Sequence, residues 1–136
     1  MRIGGHLLAA AASLSLGSCA ASGEAIKACH DAVKVYFTRG IDQLGLDALN
    51  KTLLAVSTLE ACPNAKAVVT GHIDGTEIGM PRLGMTRAAN VSSVMIKRGV
   101  DRRRITIRDA EFRQPARPTA PGIGDAKNRF VAIEWQ

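Results

Sequence analysis

The sequence predicts an α+β domain with two helices on one face of a small mixed sheet, in the order β-α-β-α-β-β. Three observations carry this. Short β-branched and aromatic runs alternate with stretches in which apolar residues recur three and four apart. Gly or Pro marks most of the changes from one pattern to the other. The chain has 136 residues with one Trp and one Tyr, which is room for one modest two-layer core and not for two.

Residues 1–18 precede that domain and read as a secretory signal. Arg2 gives a positive start, and an apolar run from Leu7 to Leu16 ends in the small residues Gly17-Ser18 before Cys19. The run is too short to span a bilayer comfortably. Residues 20 to 28 are small and polar-leaning, so residues 19–32 read as a tether, with the domain over 33–136.

Val33-Lys34-Val35-Tyr36-Phe37 predicts the first strand, broken by Gly40. From about Leu44 the spacing turns helical, with Leu46, Leu49, Leu53 and Val56 as the apolar recurrence, and Pro63 ends it. Ala65 to Thr70 predicts the second strand, Ala67 and Val69 facing one way and Lys66, Val68 and Thr70 the other. Gly71-His72-Ile73-Asp74-Gly75 leaves it and turns. The second helix runs from about Leu83 to Arg98, with Ala88, Val91, Val94 and Met95 inward and Gly99 as a left-handed cap. Arg104 to Arg108 gives the third strand. Phe112 to Lys127 is a Pro- and Gly-rich loop, and Asn128 to Trp135 the last strand, with Val131, Ile133 and Trp135 toward the core.

Three cysteines are present. If Cys19 is set aside, Cys29 and Cys62 form an even pair in an oxidising compartment. The first strand and first helix run in opposite directions, so the end of the helix returns to the start of the strand, near these two cysteines. A disulfide is the simpler reading; two buried thiols are the alternative. If Cys29 is stapled, the free tether shortens from about 45 Å to about 30 Å.

The formal charge is +6. It suits an anionic partner such as cell wall, acidic lipid or nucleic acid, and equally a well-solvated surface. Nucleic acid is excluded for an exported chain without aromatic stacking residues. Arg102-Arg103-Arg104 reads as a solvated turn. His72-x-Asp74-x-x-Glu77 could be drawn as a metal site, but no further ligand is evident, so no metal and no cofactor is expected. No Ser-His-Asp set, phosphate-cradling loop or paired general acid and base is present, so the chain is not expected to be an enzyme.

Two resemblances add to this reading. Leu16-Gly17-Ser18-Cys19 resembles the lipobox of bacterial lipoproteins, which implies lipidation of Cys19; Ala20, in place of the Asp that often retains such proteins at the inner membrane, implies the outer membrane. Gly71-His72-Ile73-Asp74, then Leu83-Gly84-Met85-Thr86-Arg87-Ala88-Ala89-Asn90-Val91, then Asn128-Arg129-Phe130-Val131 together resemble the signatures of the OmpA-like family. These are Gly-His-Thr-Asp, Leu-Ser-x-x-Arg-Ala-x-x-Val and Asn-Arg-Arg-Val, in that order. The family includes outer-membrane protein A, Pal lipoproteins and flagellar stator proteins. The resemblance implies a non-catalytic domain that binds the peptide stem of peptidoglycan at diaminopimelate, on the periplasmic side of the outer membrane.

Asp74, Arg87 and Arg129 are then the expected binding residues. Diaminopimelate ends in an ammonium and a carboxylate on one carbon. Asp74 suits the first. Arg87 suits the second, because a guanidinium holds a carboxylate with two parallel hydrogen bonds. Backbone N–H groups at the start of the second helix are expected to help hold the anionic end. The residues alone also allow Asp74 and Arg87 simply to pair with each other. Arg129 is expected to orient Asp74 or its loop.

The supporting residues depart from the family pattern. Ile73 replaces Thr, Gly84 replaces Ser, Met80 replaces Asn, and Thr38-Arg39-Gly40 replaces acidic or amide residues. The glycines of a Gly-x-Gly-Glu bend fall on Asp109 and Glu111, the second Arg of the last signature is Phe130, and the Asp74–Arg87 loop is about two residues short. These departures support a second reading, a protein-interaction module of an envelope complex that has lost the ligand.

Overall fold

A computed structural model describes residues 29–136; the expected signal, Cys19 and most of the expected tether lie outside the described residues. The elements follow the expected order: β1 (Val33–Tyr36), α1 (Leu46–Ala61), β2 (Ala67–His72), α2 (Leu83–Lys97), β3 (Ile105–Glu111) and β4 (Phe130–Trp135). The sheet order is β1-β4-β2-β3. β4 is antiparallel to both neighbours and β2 is parallel to β3, so the sheet is mixed. Among the described residues no helix is long and apolar enough to cross a membrane.

Both helices cover one face. Val35, Ala67, Val69, Val131 and Ile133 from the sheet meet Ala48, Ala55, Val56 and Leu59 of α1 and Ala88, Val91 and Met95 of α2 in one core. The buried stripe of α1 differs from the expected one. Ala48, Thr52, Ala55, Val56 and Leu59 face inward, while Leu46 is 76% exposed. Apart from Leu59 and Val56 the inward positions are small or polar, while Leu49 and Leu53 lie on the flanks and Leu54 joins Leu46 on the outer side. Of the expected stripe only Val56 is buried.

Gly99 stands at φ +101, and the N–H groups of Gly99 and Val100 donate to Ile96 and Met95 at 3.0 and 3.1 Å, which closes the end of α2. α1 has no basic residue in its own last turn. Arg104 supplies one from the far side of the chain, donating to the carbonyls of Leu59, Cys62 and Ala65 at 3.0, 2.7 and 2.9 Å. One third of the basic run read as a solvated turn is therefore a helix-end clamp. β2 runs two residues further than expected because β4 and β3 flank it and continue its ladder past Thr70.

Cys29 and Cys62 are joined by a disulfide, and the Trp135 indole donates to the Asp31 carbonyl at 2.7 Å. These ties fix the entry of the chain at the amino end of β1. The carboxyl ends of β1, β2 and β3 and the amino ends of both helices lie at the opposite end, about 20 Å away along a six-residue strand.

Candidate functional site

That opposite end carries the predicted residues. Arg87 sits on the second turn of α2, Asp74 two residues past β2, and Arg129 just before β4. Arg87, Asp74 and Glu77 are each 0% exposed. Arg87 and Asp74 do not pair with each other. Arg87 forms a bidentate pair with Glu77, from Nη1 to Oε2 at 2.8 Å and from Nη2 to Oε1 at 2.6 Å. Its other three N–H groups donate to the carbonyls of Ile41, His72 and Thr38 at 2.9, 3.2 and 3.1 Å. All five guanidinium donors are thus engaged.

Glu77 is held from the other side as well. The backbone N–H of Gly40 donates to Oε1 at 2.8 Å and that of Asp74 to Oε2 at 3.1 Å. A guanidinium and two backbone amides therefore form a seat for one carboxylate, and Glu77 sits in it. The amides come from the loops after β1 and β2, not from the start of α2 as expected. α2 opens on Arg82 at φ 61, with no side-chain cap and no acidic residue in its first turn.

Asp74 pairs with Arg129 instead, Nη1 to Oδ2 at 2.7 Å. It also accepts from the N–H and hydroxyl of Thr76 at 2.9 and 2.7 Å and from the N–H of Asp125 at 3.2 Å. Arg129 precedes an interior strand, and its Nε donates to the Phe37 carbonyl at 3.2 Å. Two arginines and two acids thus form a buried group with no net charge. Burial works to raise the Asp74 carboxyl, but hydrogen bonds from Thr76 and Arg129 outweigh it and hold the group below its usual value. Burial likewise opposes ionisation of Glu77, and Arg87 with the two amides overcomes it.

His72 is buried for structural reasons. Its ring stacks on Phe130 with centroids 4.1 Å apart, and burial together with Lys34 lowers its pKa. Asn128 accepts from the Arg117 N–H at 2.8 Å and donates back to its carbonyl at 2.7 Å, pinning the long loop before β4. Among the described residues no group of three His, Cys, Asp or Glu is placed to hold a metal. Sequence reasoning missed Glu77 as the partner of Arg87 and Gly40 as a donor. The available signal is an acid in the short loop between β2 and α2, which the sequence offers only as the third member of a candidate metal set.

A family model for the OmpA family matches residues 36–129. The chain belongs to the OmpA family. No curated protein matches it. Among solved structures, the peptidoglycan-associated lipoprotein of Burkholderia pseudomallei is similar with a TM-score of 0.66 at 20% identity, over 76% of this chain and 89% of that one. The OmpA-like domain of FopA1 from Francisella tularensis gives 0.66 at 16%, over 77% and 73%. The C-terminal domain of Helicobacter pylori MotB gives 0.62 at 20%, over 76% and 83%.

Membership in the OmpA family makes the departures readable. Gly84 and Asp109 compensate for one another: a Cβ on Gly84 would lie 2.5 Å from Asp109 Oδ1, so the Asp occupies the space a serine at 84 would need. Gly71 has no such freedom, since a Cβ there would collide with the Gly84 carbonyl. Phe130 provides the stacking surface for His72. Met80 packs beside Gly40, next to one donor of the carboxylate seat.

Proposed function

We propose that this chain is a non-catalytic, peptidoglycan-binding lipoprotein of the outer membrane. Lipid on Cys19 anchors it, and Asp74, Arg87 and Arg129 engage the diaminopimelate of the peptide stem. The observation that carries this reading is the seat itself: one guanidinium and two backbone amides converging on a single carboxylate. The ammonium of the same ligand centre would share Asp74 with Arg129. The ligand centre brings one charge of each sign, and each would meet an opposite charge already in the group, Arg87 for the carboxylate and Asp74 for the ammonium. The position of the site supports the reading too, since the entering chain is stapled at one end of the domain and the seat faces away at the other.

Sedimentation with purified peptidoglycan tests the proposal. Wild type is expected in the pellet, and Asp74→Ala and Arg87→Ala largely in the supernatant, with folding of each variant checked by circular dichroism. Wild type in the supernatant, or both folded variants pelleting as wild type does, removes the wall-binding reading.

One observation favours a second reading, an interaction module of an envelope complex. Both acids and both arginines already satisfy each other, and three of the four are sealed from solvent. On that reading the group only stiffens the loops that a partner protein contacts, and no form of the chain pellets with the wall.

A further inference from the structure

We propose that Glu77 is a resident competitor: its carboxylate fills the Arg87 seat, and an external carboxylate binds only when the Glu77–Met80 stretch of the loop after β2 releases it. The inference rests on the wall-binding reading for the identity of the ligand but not for the existence of the seat.

The donors and the occupant are held differently. Arg87 is fixed in α2, and the amides of Gly40 and Asp74 belong to loops at the ends of β1 and β2. Three carbonyls hold the guanidinium in place independently of Glu77. Glu77 lies further along the loop that Asp74 begins; the Asp74 side chain is anchored outside that loop by Arg129 and the Asp125 N–H. The Glu77 backbone is tied only within that loop, through Glu77 N–H to Asp74 and Met80 N–H to Glu77 at 3.1 and 2.8 Å. The next residues are open: Ile78 is 48% exposed, and a Cβ on Gly79 would meet nothing within 4 Å. Swinging Glu77 outward therefore disturbs no core packing, whereas moving the donors would.

The seat cannot stand empty at low cost. Without a carboxylate, Arg87 would be a sealed cation facing only three carbonyl dipoles and the Phe37 ring. Release of Glu77 and entry of a ligand carboxylate are therefore linked as an exchange. The apparent affinity of wild type is lowered by the fraction of molecules with Glu77 out. For an open population of roughly 0.1–10%, removing Glu77 tightens carboxylate binding about 10- to 1000-fold. The loop also carries a latch outside the seat, where Arg39 Nε donates to the Thr76 hydroxyl at 2.8 Å.

The test uses purified full-length protein and sodium acetate as the carboxylate probe. Glu77→Ala is expected to melt below wild type in sodium chloride and to recover in acetate of the same ionic strength. Wild type is expected to melt at the same temperature in both salts. Because Glu77→Ala strands Arg87, Glu77→Gln is run beside it; the amide fills the space without the charge and is expected to sediment with peptidoglycan at lower wall concentration than wild type. An acetate effect in Glu77→Ala upholds the resident carboxylate even if no form pellets with the wall, and then only the wall reading falls. Equal melting of Glu77→Ala in acetate and chloride, with wild type and Glu77→Gln pelleting alike, overturns the inference and leaves wall binding standing.

Discussion

At the end where the chain enters, Arg104 donates to the carbonyls of Leu59, Cys62 and Ala65 and remains partly open to solvent. At the opposite end Arg87 donates to the carbonyls of Thr38, Ile41 and His72 and is sealed. The backbone work is the same, three carbonyls each, but only the second arginine carries a carboxylate. Water stabilises the charge on Arg104, so carbonyl dipoles suffice there. Arg87 has no water, and a full counter-charge is needed. The difference accounts for the acid at the sealed position, and on the proposed reading it makes the site end, not the stapled end, the one that a charged ligand addresses.

The strongest way to break this comparison is to remove each arginine in turn. Arg87→Ala leaves Glu77 buried and unpaired and is expected to cost about 3–5 kcal/mol. Arg104→Ala removes hydrogen bonds at a half-open helix end, and water replaces part of them; about 1–2 kcal/mol is expected. Urea denaturation of both variants measures the gap. Equal losses would mean that the sealed pair contributes no more than the carbonyl clamp.

Acid separates the two ends next. Asp74 and Glu77 are held below their usual values in the fold. Their contribution is full above the ordinary carboxylate range near pH ~4 and is lost as the pH falls through their lowered folded values. At the other end Asp101 is brought to about 2 by Arg103, but the pair is exposed and screened, so its loss matters little. Wild type should therefore lose stability toward low pH mainly through the site end. Glu77→Gln should lose less over the same range, because one of the two titrating groups is gone. Parallel pH profiles for the two proteins would place the acid sensitivity elsewhere.

The element order was legible because local patterns decide it: β-branched runs, helical spacing, and Gly99 at its left-handed cap. The disulfide was legible too, since antiparallel packing of a strand and a helix returns Cys62 to Cys29. The inward face of α1 was not. Spacing favoured Leu46, Leu49 and Leu53, whereas close approach to the sheet selects Ala48 and Ala55, and a leucine on the flank satisfies the same period. The site was half legible. Asp74 and Arg87 come to one end of the sheet as their elements require. Arg129, expected to orient Asp74 or its loop, pairs with it, whereas the partner of Arg87 is a loop acid 10 residues away in sequence, and no periodicity marks a loop acid that folds inward.

The smallest effect sharpens the comparison on the site side, at the turn that ends β3. Here the parallel ladder slips: Gly71 pairs with Asp109, but His72 pairs with Glu111, so Ala110 is extra. The bulge puts Glu111 at φ 50, a left-handed conformation that costs a non-glycine residue about 1–2 kcal/mol. This is one of the two positions where the OmpA-like pattern has Gly. The other, Asp109, offsets its own departure by filling the space beside Gly84 and by accepting the Glu111 N–H at 2.9 Å. Glu111 gains only an exposed contact with Arg113 at 3.8 Å, which contributes little. Its carbonyl accepts from the Ile73 N–H at 3.1 Å whatever the side chain. Glu111→Gly keeps that bond and removes the strain, while adding freedom to the unfolded chain. The net gain expected is about 0.5–1 kcal/mol, read as a higher urea midpoint with an unchanged slope. A lower midpoint would mean that the side chain, and not the bulge alone, holds Ile73 and hence Asp74 in register beneath the site.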